Sequence, residues 1–214
     1  MFFNHIIWAY SRFALLFLSR YDKCMKFFRR WSAVSTLLAE SKITVRSGEA
    51  FSVRKPTEDD GREMFRIVKE SNVLDVNSSY SYLMWGKYFN STSIVAESKD
   101  NEVVGFVSGF LLPESDDTLF VWQVGVDKKQ RGKGLATKLI TELIKSVQSE
   151  QSVRYLEATV TPSNIPSSNL FKGIATKYET NCFITECFSE EQFPDEDGTH
   201  EAEMAYRIGP IRTK

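Results

Sequence analysis

Between Val124 and Ile144 the sequence reads VGVDKKQRGKGLATKLITELI. A short apolar run gives way to a knot of Lys, Arg and Gly, and then to apolar residues at helical intervals. The run predicts a strand, and Leu135, Leu139, Ile140, Leu143, Ile144 and Val147 mark one face of a helix. The knot must therefore turn the chain from strand to helix in a few residues. Gly132 and Gly134 permit backbone angles that side chains resist. The unpaired N–H groups and positive dipole end of the helix point into the same small space. With Arg131 and Lys133 added, the turn has the makings of an anion cradle, although a solvated helix start has the same spacing. Neither a Gly-x-x-x-x-Gly-Lys-Ser/Thr loop nor a Gly-x-Gly-x-x-Gly fingerprint is present.

The rest of the chain frames this unit. FSVRKP, from Phe51, predicts a strand stopped by Pro56. Thr57, Asp59 and Asp60 are cap candidates for a helix carrying Met64, Phe65, Ile67 and Val68. A second helix is predicted over about 79–89. TSIVAES and EVVGFVSGFLL form a hairpin about KDN, and TLFVWQVGV is apolar enough to be a central strand. VRYLEATVTP, a helix over about 165–177, and strands CFITECF and EMAYRIG complete the order. Strands and helices mixed in this way predict an α+β or mixed-sheet α/β layer fold.

At 214 residues the chain suits one domain over 49–214 with an extension over 1–48. The formal net charge of -1 gives no basic field for nucleic acid. Three cysteines, Cys24, Cys182 and Cys187, fit no metal spacing and read as reduced thiols of a cytoplasmic compartment; a Cys182–Cys187 disulfide is the lesser alternative. The extension carries Arg12, Arg20, Lys23, Lys26, Arg29 and Arg30 against a single acid, Asp22. Its apolar runs are too short to span a membrane, and its order of charge and apolar residues is wrong for a secretory signal. An organelle transit peptide, a surface-seeking helix and a dispensable extension are all compatible with it, the last being the simplest.

RGKGLA resembles the Arg/Gln-x-x-Gly-x-Gly/Ala signature of the GCN5-related N-acetyltransferase (GNAT) family through Arg131, Gly134 and Ala136. NIPSSNLF resembles that family's Asn-x-x-Ala-x-x-Leu-Tyr helix through Asn164 and Leu170. The resemblance implies a mostly antiparallel mixed sheet of about six or seven strands, splayed between the fourth and fifth and flanked by about four helices. It implies acetyl-coenzyme A as co-substrate and no metal. The pyrophosphate would lie on Arg131, Gly132, Lys133, Gly134 and Ala136, and the pantetheine arm along Val124 to Val126 and on Asn164. Where many members carry a Tyr that protonates the leaving thiolate, this chain has Phe171.

A longer similarity, from about Ser52 to Pro210, is to the diaminobutyrate acetyltransferases of ectoine synthesis. LDVNSSYSYL, VVGFVSGF, YLEATVTPSN and THEAEMAYRIGP carry it beside the loop. It implies transfer to the γ-amino group of L-2,4-diaminobutyrate, by a homodimer that needs neither nucleic acid nor membrane. An acceptor with two ammonium groups and a carboxylate calls for acids that tell the amines apart and a base for the attacking one. Asp75, Glu157, Glu201 and Glu203 are the candidate acids, and His200 is the one histidine besides His5. From spacing alone, Asp75 with Asn77 and Ser78 reads equally as turn and cap residues. Glu157 in an apolar strand needs a partner or a function. Glu201 and Glu203 fit a solvated acidic loop, and Tyr80 and Trp122 fit the core. The resemblance instead makes Tyr80 and Trp122 walls, Asp75, Asn77 and Glu201 substrate contacts, and Glu157, His200 or Glu203 the base. Site carboxylates would also suit a polyamine, an aminoglycoside or a protein N-terminus, and the loss of the Tyr would suit a coenzyme A-binding module without turnover.

Overall fold

The structure, a computed structural model, describes residues 51–71, 73–194 and 200–212. The expected extension, with His5 and Cys24, lies outside these residues, as does 195–199 of the acidic loop. Among the described residues seven strands form one sheet in the order β1-β2-β3-β4-β5-β7-β6. They are β1 (Phe51–Arg54), β2 (Ile94–Ser98), β3 (Val103–Leu112), β4 (Ser115–Val126), β5 (Tyr155–Val160), β6 (Asn181–Phe188) and β7 (Glu203–Gly209). Four α-helices among the described residues accompany them: α1 (Gly61–Ser71), α2 (Ser79–Tyr88), α3 (Leu135–Gln148) and α4 (Ile165–Lys177). All neighbouring strands run antiparallel except β4 and β5, which α3 joins as a crossover. β4 starts at Ser115, three residues earlier than its apolar run, because Ser115 pairs with Leu112 of β3, Asp116 to Thr118 filling the register irregularity before Leu111↔Leu119.

Helices cover both faces. The buried residues of α3 and α4 pack on one face with Leu119, Val121, Leu156, Ala158, Val160, Tyr206 and Ile208. Met64, Ile67 and Val68 of α1 and Tyr82 and Trp85 of α2 pack on the other with Val95, Val103 and Phe106. The helical faces expected from the periodicity are those that are buried.

Two irregularities in β4 make the site. β4 and β5 pair at Thr118↔Tyr155, Leu119↔Leu156 and Phe120↔Glu157, and no further. From Val121 onward the β5-facing edge of β4 has no strand beside it. The expected splay therefore opens at Phe120. Trp122 is a bulge: Gln123 pairs with Ser108 and Val121 with Gly109, which leaves Trp122 opposite nothing. An extra residue inverts side-chain alternation. Leu119 and Val121 face α3 before it, and Val124 and Val126 do so after it. Gln123 is thereby turned toward α2, where the Tyr82 hydroxyl donates to its Oε1 at 3.1 Å.

Candidate active site

The knot from Asp127 to Gly134 closes the free end of β4. Asp127 caps it, its Oδ1 accepting from the N–H of Lys129 at 2.9 Å. Burial pushes the Asp127 carboxyl upward, but that N–H and the Arg66 guanidinium at 3.2 Å outweigh it and hold it below its ordinary value. Gly132 and Gly134 sit at φ of 73° and 74°, the left-handed region. A Cβ at either would meet nothing within 4 Å, so glycine is required here by backbone angle and not by space. Gly134 is the N-cap of α3 and contributes no side chain to its first N–H groups. Arg131 folds back, its Nε donating to the carbonyl of Val126 at 3.2 Å, while Lys133 Nζ donates to Gln130 at 3.0 Å. Arg131, Gly132, Lys133 and Gly134 are exposed and Ala136 is half-buried. The donor set is outward N–H groups and two flexible cations, which suits a phosphate-bearing ligand.

Across the splay, Asn164 caps α4. Its Oδ1 accepts from the N–H of Ser167 at 3.2 Å, so the side-chain NH2 is the part left to face a ligand. Phe171 is 4% exposed and packs near Tyr206, whose hydroxyl donates to Ser168 at 2.9 Å. The residue in the usual Tyr position is thus part of the core.

On the α2 side the elements converge on a polar cluster. Gln123 Nε2 donates to the carbonyl of Asp75 at 2.8 Å, fixing the loop before α2 on the bulge. Asn77 bonds the hydroxyl of Tyr82 and Ser78 caps α2 at Tyr80. Glu203 opens β7, and burial raises its carboxyl above the ordinary value. A hydrogen bond with Thr159 and the charge of His200 work against that rise, while the Asp75 and Glu201 charges add to it. Three of the expected residues, Asp75, His200 and Glu201, are therefore electrostatic neighbours of a fourth, Glu203. His200 stacks on Phe193 at 3.8 Å, and its Nδ1 donates to the carbonyl of Glu201 at 2.7 Å, which leaves Nε2 for other contacts. Glu201 accepts from the N–H of Ser163 at 2.9 Å, and that bond lowers its carboxyl. It anchors the chain beside Asn164.

Tyr80 and Trp122 are not core aromatics: they are 64% and 48% exposed. Trp122 lies 6.2 Å from Trp85, at the end of an aromatic row through Phe110 and Phe120. Glu157 stands apart from the cluster, paired with Arg207 Nη1 at 2.8 Å. The sequence reading overlooked Gln123, Thr159, Phe193 and Arg207. Gln123 and Arg207, polar residues inside apolar strands, were the available signals for two of them.

Residues 61–174 match the acetyltransferase (GNAT) family. The chain belongs to that family. This acetyltransferase is 50% identical over 174 residues to the L-2,4-diaminobutyric acid acetyltransferase of Marinococcus halophilus, covering 80% of this chain and 98% of the relative. To the protein of the same name from Oceanobacillus iheyensis it is 48% identical over 172 residues, covering 80% and 94%. The solved diaminobutyrate acetyltransferase of Paenibacillus lautus, in complex with its substrate L-2,4-diaminobutyric acid and coenzyme A, superposes with a TM-score of 0.71. That pair is 37% identical, over 78% of this acetyltransferase and 99% of the other chain. Among the described residues of this acetyltransferase no helix is long and apolar enough to cross a membrane.

Proposed function

We propose that this chain transfers the acetyl group of acetyl-coenzyme A to the γ-amino group of L-2,4-diaminobutyrate, giving the precursor of ectoine for osmoprotection. The observation that carries the reading is the cluster of Asp75, His200, Glu201 and Glu203 beside the unpaired edge of β4. Carboxylates suit a cationic acceptor, and the free β4 edge beside the glycine turn suits an acyl-coenzyme arm. The relatives named for this reaction, and one solved with both of its ligands, support the same acceptor.

In this reading the turn from Arg131 to Ala136 holds the pyrophosphate. The strand from Val124 to Val126 and the Asn164 amide hold the pantetheine arm. Tyr80 and Trp122 wall the acceptor, Asp75 contacts an ammonium group, and Asn77 and Glu201 hold the loops that shape the site. Glu203 takes the proton of the attacking amine, directly or through water, and His200 balances its charge. Glu157 is left out of that role because the Arg207 guanidinium on its Oε2 balances its charge. The amine attacks the thioester carbonyl without a covalent enzyme intermediate, and a β4 N–H stabilises the oxyanion. Phe171 has no proton to give, and a thiol of pKa about 8.5 leaves unaided.

A homodimer is supported by the edge strand β6, which exposes Phe183, Ile184 and Phe188. Free Cys182 and Cys187 support a cytoplasmic location. They are five positions apart on one strand, about 17 Å, beyond disulfide reach. A thiol-release assay with acetyl-coenzyme A and a panel of amines tests the reading. Turnover of diaminobutyrate above polyamines is expected, and the reverse order would refute it.

A further inference from the structure

The face of the sheet turned away from α4 is open where β5 and β7 pair. Leu156, Ala158 and Val160 of β5, with Tyr206 and Ile208 of β7, are buried toward α4. The alternate residues Glu157, Thr159, Glu203, Ala205 and Arg207 therefore line the other face. Glu157 and Arg207 are register partners across β5 and β7, and Ala205 pairs with Thr159 one row nearer the cluster. Arg207 is held from three sides. Its Nη1 donates to Glu157 at 2.8 Å, its Nη2 to the Thr118 hydroxyl at 3.3 Å, and the guanidinium lies 4.3 Å from the centre of the Tyr155 ring. These contacts use two of its five N–H donors. The side chains of Arg207 and Glu157 keep 38% and 19% of their surface exposed. The pair is fixed in place, accessible and incompletely used.

We propose that the Glu157–Arg207 pair binds the zwitterionic α-carbon end of the acceptor, its carboxylate on Arg207 and its α-ammonium on Glu157. The inference rests on the acceptor being a diamino acid. The acid cluster around Glu203 suits ammonium groups, and an amino acid also brings a carboxylate that needs a cation. Arg207 is the arginine or lysine on the open face of β5 and β7 among the described residues. The spacing fits. Glu203 and Thr159 share this face, and the Glu157–Arg207 row is one pair of residues further along β5 than the Thr159–Ala205 row, about 7 Å. Cys187, exposed on β6, lies near enough to Glu157 and Glu203 for both charges to add to the rise that burial gives its thiol. A short diamino acid bridges one row; anchored by its α-carbon end, it presents only its distal amine to Glu203. The pair thereby sets which amine is acetylated and how long the acceptor can be.

The test compares kcat/KM for 2,4-diaminobutyrate with that for its carboxamide, and with that for 4-aminobutyrate, which lacks the α-amine. Such ratios do not depend on how much of a variant is folded. Arg207→Met should reduce the preference for the carboxylate over the carboxamide by about 10- to 100-fold, and Arg207→Lys should restore part of it. Glu157→Gln should reduce the preference for diaminobutyrate over 4-aminobutyrate by a similar factor. Unchanged ratios, with all substrates slowed alike, would reduce the pair to a strand clamp and overturn the inference. A wild-type enzyme that turns over none of the amino acids but acetylates other amines would overturn the acceptor reading beneath it.

Discussion

Glu203 combines partial burial, a raised carboxyl, a Thr159 hydrogen bond and charged neighbours of both signs, His200 against Asp75 and Glu201, in one side chain. A base whose pKa is raised loses activity at a higher pH than an ordinary carboxylate does. The acidic limb of kcat/KM should therefore lie above 4.5, the unperturbed value, and move when His200→Ala removes a charge that opposes the rise. Glu203→Gln should lower kcat by about 10²- to 10⁴-fold with less effect on the KM for acetyl-coenzyme A. Gly134→Ala is a different kind of lesion. Its Cβ has space, so the penalty is the left-handed backbone, about 1–2 kcal/mol, and the KM for acetyl-coenzyme A should rise while kcat holds. The two glycines were legible in the sequence because their constraint is local. Glu203 was named as one of several acids, but what sets it apart, the Thr159 contact and the neighbouring Asp75, comes from a strand and a loop distant in the chain.

Among the elements, β1, β2 and the start of α1 are tied by one arginine. Arg54 donates to both oxygens of Asp60, at 2.7 and 2.8 Å, and to Glu97 at 2.7 Å. Burial would raise the Asp60 carboxyl, but hydrogen bonds from Arg54 and Thr57 outweigh that and hold it low. A carboxyl depressed on folding stabilises above its unfolded pKa, and that contribution fades as pH falls toward the folded value. Asp60→Asn should cost about 3 kcal/mol at neutral pH in a denaturant titration, with a smaller difference in acid. Strand and helix types followed from periodicity nearly everywhere, since the helices bury apolar stripes and the central strand is apolar over most of Leu119 to Val126. The Trp122 bulge was not legible. It depends on how β3 and β4 align, which the near-continuous apolar run TLFVWQVGV does not record, and Trp122 is left half exposed there.

For the whole molecule, the described core draws on residues from Phe51 to Ile211, and every proposed site residue lies between those two in the chain. A chain beginning at Ser47 should keep its thermal midpoint and its turnover within about twofold of the full chain; a larger loss would give the extension a part in the enzyme. Fold and donor chemistry were legible because a strand, a glycine turn and a helix are contiguous in sequence. The acceptor site was legible only in part, since it gathers the loop before α2, the bulge of β4, β5 and the start of β7. The most direct measurement incubates the full-length protein with acetyl-coenzyme A and L-2,4-diaminobutyrate and assigns the product by NMR. Acetyl on the γ-nitrogen is predicted, with none on the α-nitrogen. Coenzyme release without an acetylated diaminobutyrate, or acetyl on the α-nitrogen, would contradict the account.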